Sequence, residues 1–123
     1  MAFLNDRVFD NGLTTLDTEA NVVHVTSAEA TTYAEATSTL TLGNSTSLSI
    51  AAPSDRTGGG RKVTVSAISD GSITGTGTVT HYALVDTNNS RLLATAALTA
   101  SQSVTSGNTF TLASFDIGIP DPT

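Results

Sequence analysis

The chain contains no cysteine and no tryptophan, and only 13% of its 123 residues are charged. Without thiols it has no disulfide staple, no thiolate metal site and no cysteine nucleophile, and its redox compartment stays undetermined. The shortage of charge is one-sided. Five basic residues stand against eleven acidic ones, for a net charge of −6 and an isoelectric point near 4.4. That is the wrong sign for neutralising phosphates, so no nucleic-acid partner is expected. Long apolar runs are missing too. The amino terminus, MAFLNDRVFDNG, mixes an acid and a base among its apolar residues, and reads as neither a secretory signal nor a membrane span.

Hydroxyls take the place of charge. Ser and Thr supply about 30% of the chain, where charged residues alone usually supply about a quarter. Threonine favours strands, so the composition describes a β-surface faced with hydroxyls. Such a surface solubilises less well than charge, and the acidic bias keeps copies apart until a specific contact overrides it. The combination suits a protein that ends up packed in an assembly. The length is enough to bury roughly two thirds of the unfolded surface without a metal or a disulfide.

The stretch 78–98, TVTHYALVDTNNSRLLATAAL, organises the rest. Two apolar-rich runs flank the polar cluster Thr87-Asn88-Asn89-Ser90, which predicts a β-hairpin. Val79, His81, Ala83 and Val85 share one side of the first run, and Thr80, Tyr82, Leu84 and Asp86 the other. Both sides carry apolar groups, so both strands are predicted to be central.

Residues 1–18 show neither period cleanly and read as an N-terminal arm, with Asp10-Asn11-Gly12 as a turn signal. The first strand is Asn21-Val22-Val23-His24-Val25-Thr26, with Val23 and Val25 inward, and residues 27–36 form a loop or one helical turn. Leu40 with Leu42, and Leu48 with Ile50, alternate around Gly43-Asn44-Ser45-Thr46, a second predicted hairpin. AAPSDRTGGG, residues 51–60, reads as a mobile exposed loop, because Pro53 withholds a donor and three glycines resist ordering. Three of the five basic residues, Arg56, Arg61 and Lys62, lie in or beside it. A strand over 62–68 follows, then a turn at Asp70-Gly71. After the central hairpin come a short edge-like strand and a Gly107-Asn108 turn. The last strand, 109–119, changes phase, since Phe110 and Leu112 have one parity and Phe115, Ile117 and Ile119 the other. A β-bulge near Ala113-Ser114 would reunite the two sets. The prediction is all-β: a single antiparallel sandwich, jelly-roll- or Ig-like, or a small barrel, of about eight strands over 19–123, preceded by the arm.

Chemistry is sparse. His24 and His81 are the only imidazoles, and neither has a partner at ligand spacing, so a site of both with Asp86 needs the fold to assemble it. Serine, histidine and aspartate are present without a nucleophile elbow. Thr57-Gly58-Gly59-Gly60-Arg61-Lys62 lacks the ending of a phosphate loop and precedes a strand, not a helix. Asn44-Ser45-Thr46 and Asn88-Asn89-Ser90 fit a glycosylation sequon but read more simply as turns. No enzymatic activity, metal or other cofactor is expected.

Thr78-Val79-Thr80-His81-Tyr82-Ala83-Leu84-Val85-Asp86, then Arg91-Leu92-Leu93-Ala94, then Val104-Thr105-Ser106-Gly107-Asn108-Thr109-Phe110-Thr111-Leu112 resemble a pattern of small structural proteins of tailed bacteriophages. Ala2-Phe3-Leu4-Asn5-Asp6-Arg7-Val8 is similar to the start of such proteins in phages of alphaproteobacteria. The resemblance implies a head decoration, or cement, protein made in the host cytoplasm and carried on the virion. There it would bind the major capsid protein where capsomers meet, as a cyclic homo-oligomer, a trimer, with no membrane or nucleic-acid partner. The expected capsid contacts are Phe3, Leu4, Arg7, Val8 and Phe9 of the arm and Arg56, Arg61 and Lys62 of the loop. Two alternatives remain: a receptor- or carbohydrate-binding module of a head or tail fibre, and a tail or head-completion component. The first normally stacks sugars on exposed aromatics, and the chain has two tyrosines and no tryptophan.

Overall fold

A computed structural model describes residues 6–120, with side chains from residue 11 onward. The fold is all-β, as the alternation predicts, with nine strands in two antiparallel sheets among the described residues. Its elements are α1 (Asp6–Glu19), β1 (Val22–Thr26), a π-turn (Glu35–Thr39), β2 (Thr41–Ser45), β3 (Ser54–Asp55), β4 (Arg61–Val65), β5 (Ile68–Ile73), β6 (Gly77–Asp86), β7 (Arg91–Val104), β8 (Thr109–Leu112) and β9 (Phe115–Ile119). They form two compact units. One contains α1, Ser49–Ala67 and 113–120; the other contains Ala20–Leu48 and Ile68–Leu112.

The second unit is a six-stranded sheet ordered β7-β6-β1-β2-β5-β8. Chain length forces it to curl. Residues 105–108 link one edge strand, β7, to the other, β8, a span of at most about 18 Å. Six strands laid flat would hold those edges about 24 Å apart. Hydrogen bonds close that end: Ile73 N–H donates to Asn108 O (2.8 Å), Gly107 N–H to Ile73 O (2.9 Å) and Thr74 N–H to Leu42 O (2.8 Å).

Register explains why the central strands are apolar on both sides. Val23, Val25, Tyr82, Leu84, Ile73 and Phe110 fall on one face, and all are buried. On the other face Ala83 and Val85 pack with Ala30 and Ala36 of the 27–40 connection, flanked by Val22, Tyr33, Leu40 and Leu92. That connection turns through a π-helical step, with Leu40 N–H donating to Glu35 O (2.9 Å). The Glu35 carboxylate accepts from the Thr31 hydroxyl and backbone N–H, which holds its pKa below the usual value.

Several local expectations are corrected. β6 is central, but β7 lies at the sheet edge, because alternation in small residues cannot distinguish a half-covered edge from a core strand. β7 is also irregular: Val79 pairs with Gln102 and His81 with Ala97, so residues 98–101 stand opposite Thr80 alone. Gly43-Asn44-Ser45 is not a turn but the body of β2, threaded between β1 and β5. A Cβ on Gly43 would lie 2.4 Å from Ser72 O, so glycine is needed there for close approach. Asp70-Gly71 likewise lies inside β5. The Phe110 ring covers Gly71, and a Cβ there would meet it at 2.2 Å.

The first unit is a three-stranded sheet ordered β3-β4-β9, with α1 against β4. Asp10-Asn11-Gly12 lies within α1, where Gly12 faces the Ile119 side chain. Leu13 of the helix and Val63 and Val65 of β4 are buried. Strand parity puts Val63, Val65, Phe115 and Ile117 on one face and Lys62, Thr64, Asp116 and Gly118 on the other. The phase change at Ala113-Ser114 is therefore not a bulge. It marks the point where the chain leaves β8 in the larger sheet and enters β9 in the smaller one.

Candidate interaction site

The β3–β4 hairpin carries the basic cluster, and hydrogen bonds close its tip. Gly58, Gly59 and Gly60 have φ of 89°, 103° and 94°, a region that glycine enters without steric penalty. Arg56 N–H donates to Gly60 O and Gly59 N–H to Arg56 O, both at 3.1 Å. The chain thereby folds back so that Gly59 O accepts from Arg56 Nη1 at 3.0 Å. The three glycines thus set a tight tip.

The three cations differ in their surroundings. Arg61 and Lys62 are consecutive in β4 and project to opposite faces. Arg61 Nη1 pairs with Asp55 Oδ1 at 2.7 Å, and its Nη2 donates to Pro53 O at 3.3 Å. Lys62 Nζ pairs with Asp116 Oδ2 at 2.9 Å, while the Thr64 hydroxyl donates to Asp116 Oδ1 at 2.7 Å. The Thr64 hydroxyl, then Lys62, hold the Asp116 pKa below the usual carboxylate value. Arg56 has no carboxylate partner among the described residues. Its side chain lies across Gly118, where a Cβ would come within 2.9 Å of Cδ.

Arg56, Thr57, Lys62, Asp116 and Gly118 line an open cleft of about 350 Å³ on the polar face of this sheet. The sequence points to Arg56 and Lys62 but not to Asp116 or Gly118. Their membership depends on β4 pairing with β9 across more than fifty residues, which no local pattern encodes. Of the other expected contacts, Phe3 and Leu4 lie outside the described residues. Arg7, Val8 and Phe9 lie in α1, with side chains outside the description.

The imidazoles do not form a site with Asp86. His24 and His81 share a face of the larger sheet on adjacent rows. His24 Nδ1 hydrogen-bonds Thr41 Oγ1 at 2.8 Å, and His81 Nδ1 hydrogen-bonds Thr80 Oγ1 at 2.8 Å. Burial pushes the His24 pKa down. Asp86 instead organises the β6–β7 turn, accepting from Asn89 Nδ2 (2.7 Å) and Asn88 N–H (3.0 Å), and those bonds lower its pKa. Among the described residues no group of three His, Asp or Glu side chains could hold a metal ion. The described aromatic side chains, Tyr33, Tyr82, Phe110 and Phe115, are buried or half-buried, so none offers a fully exposed ring to stack on a sugar. No family model, no curated protein and no solved structure matches this chain.

Proposed function

We propose that the chain is a non-enzymatic structural protein of a tailed-phage virion: a decoration protein that binds the outside of the head and stabilises it. The observation that carries this reading is the placement of the two segments expected to make the contact. α1, which holds the described part of the N-terminal arm, packs on β4, and β4 is one arm of the basic hairpin. Both therefore belong to one compact unit and can act as a single docking body. The other unit supplies a sheet whose exposed positions are largely Ser and Thr, such as Ser72, Thr78, Thr99, Ser101, Ser103 and Thr109.

A protein that binds an assembled lattice better than its free subunits stabilises the lattice by mass action. Association as a cyclic homo-oligomer, a trimer in this reading, multiplies weak individual contacts. The major capsid protein is the partner, and the adhesion needs no cofactor. Counting copies per purified particle by quantitative mass spectrometry tests the proposal. A decoration role requires on the order of hundreds of copies, following the symmetry of the shell. A count of a few dozen or fewer would point to a tail or head-completion component, and absence from the particle would end the proposal.

A further inference from the structure

We propose that the cleft on the polar face of the three-stranded sheet is a receptor for one carboxylate side chain of a partner protein, with Arg56 as the binding group. The first ground is the contrast among the cations. Arg61 and Lys62 each have an internal carboxylate at ion-pair distance, whereas Arg56 has none among the described residues. Among the described residues only Nη1 of its guanidinium is committed, to the neutral carbonyl of Gly59. The rest of its donor fork has no partner among the described residues, and that planar fork matches a carboxylate in bidentate geometry.

The second ground is preorganisation. Gly59 O anchors one edge of the guanidinium, and Gly118 provides a floor without a side chain beneath Cδ and Nε, which a Cβ would approach to 2.9 and 3.2 Å. A held arginine loses less side-chain freedom on binding than a free one. The third ground is the charge count. Among the described residues of the lining, Arg56 and Lys62 against Asp116 leave a single net positive charge. A monoanionic carboxylate balances that charge. A phosphate dianion would exceed it beside Asp116, on a chain that is already acidic.

The identity of the partner rests on the proposed docking role, but the binding itself does not. The test therefore uses the full chain in solution. A terminally blocked tetraglutamate peptide is titrated into ¹⁵N-labelled protein at constant ionic strength, with inorganic phosphate and chloride in separate arms. The resonances followed are Arg56 Nε–H and the amides of Gly59 and Gly118. The expected result is a saturable shift with the peptide that exceeds the phosphate response, weakened about tenfold or more by Arg56→Gln and less by Arg56→Lys. Gly118→Ala, which keeps the guanidinium but builds on the floor beneath it, is expected to weaken binding as well. Peptide shifts that survive Arg56→Gln, that match chloride, or that are outdone by phosphate would overturn the proposal. Loss of peptide binding leaves the copy count on the particle as a separate result, and absence from the particle leaves the peptide binding standing.

Discussion

Alanine at Gly60, compared with alanine at Gly58, separates two reasons a glycine can be indispensable. Both residues lie in the β3–β4 hairpin tip with nearly the same backbone, φ +94° and +89°. Either substitution forces an L side chain into the left-handed half of the map, at a cost of about 1–2 kcal/mol. At Gly58 little is added, because the nearest atom to a new Cβ is Arg56 Nη1 at 4.0 Å. At Gly60 the Cβ would lie 2.1 Å from Ile119 O and 2.8 Å from Pro120 Cα. Those are backbone atoms and cannot rotate away, so β9 or the hairpin must shift. The total for Gly60→Ala is then expected to exceed about 3 kcal/mol, in the range reserved for mutations that displace backbone. For a chain of this length that is a fall in Tm of about 10 °C or more, against roughly 4–8 °C for Gly58→Ala. Urea and thermal unfolding followed by far-UV circular dichroism provide the assay. Gly107→Ala, with φ +94° and no atom within 4 Å, is a control in the other unit, expected to show the conformational cost alone. If Gly60→Ala costs no more than Gly58→Ala, the hairpin does not seat on β9 at Ile119, and the cleft beside it does not form.

Other perturbations probe the larger unit. Leu84, fully buried between the central strands, should cost about 2–5 kcal/mol when cut to alanine, read from the urea midpoint; a loss below about 1 kcal/mol would contradict its core position. His24 is held neutral by burial, with its folded pKa below 6.5. The unfolded chain therefore takes up the proton first as pH falls, so stability is complete above about pH 6.5 and declines below it towards the folded value. Urea midpoints between about pH 7.5 and 5 should show that decline in the wild type and a flatter profile in His24→Gln; equal slopes would refute it. For Asp86, whose folded pKa is lowered by Asn89 and Asn88, the contribution is present above the ordinary value of 3.8 and is lost as pH falls through the folded value. Asp86→Ala should speed amide exchange at Asn88, the residue whose N–H its carboxylate accepts, and unchanged exchange would remove its capping role.

The sequence made the β class and the central strand legible because burial on both faces writes apolar residues at both parities, as at Tyr82, Ala83, Leu84 and Val85. The Thr87–Ser90 turn was legible for a similar reason: its residues favour turns whatever surrounds them. Glycine was the main source of misreading. At Gly43 and Gly71 it marks close approach of a neighbouring strand or ring, and at Gly58 to Gly60 it supplies the positive φ of a tight tip. One letter thus serves opposite local structures, and only the contacts distinguish them. The phase break at Ala113-Ser114 was visible, but parity alone cannot separate a bulge from a change of sheet. The cleft was half visible: its cations are local in sequence, while Asp116 and Gly118 arrive through long-range register.

The most direct test of the proposed decoration role is a cryo-EM reconstruction of the phage head on which this chain is proposed to sit. The expected density lies on the outside of the head, with α1 and the β3–β4 hairpin turned towards the capsid and the Arg56 cleft within reach of an acidic side chain of the shell. A map that turns both segments to solvent, or that shows no copy of the chain on the head, would contradict it.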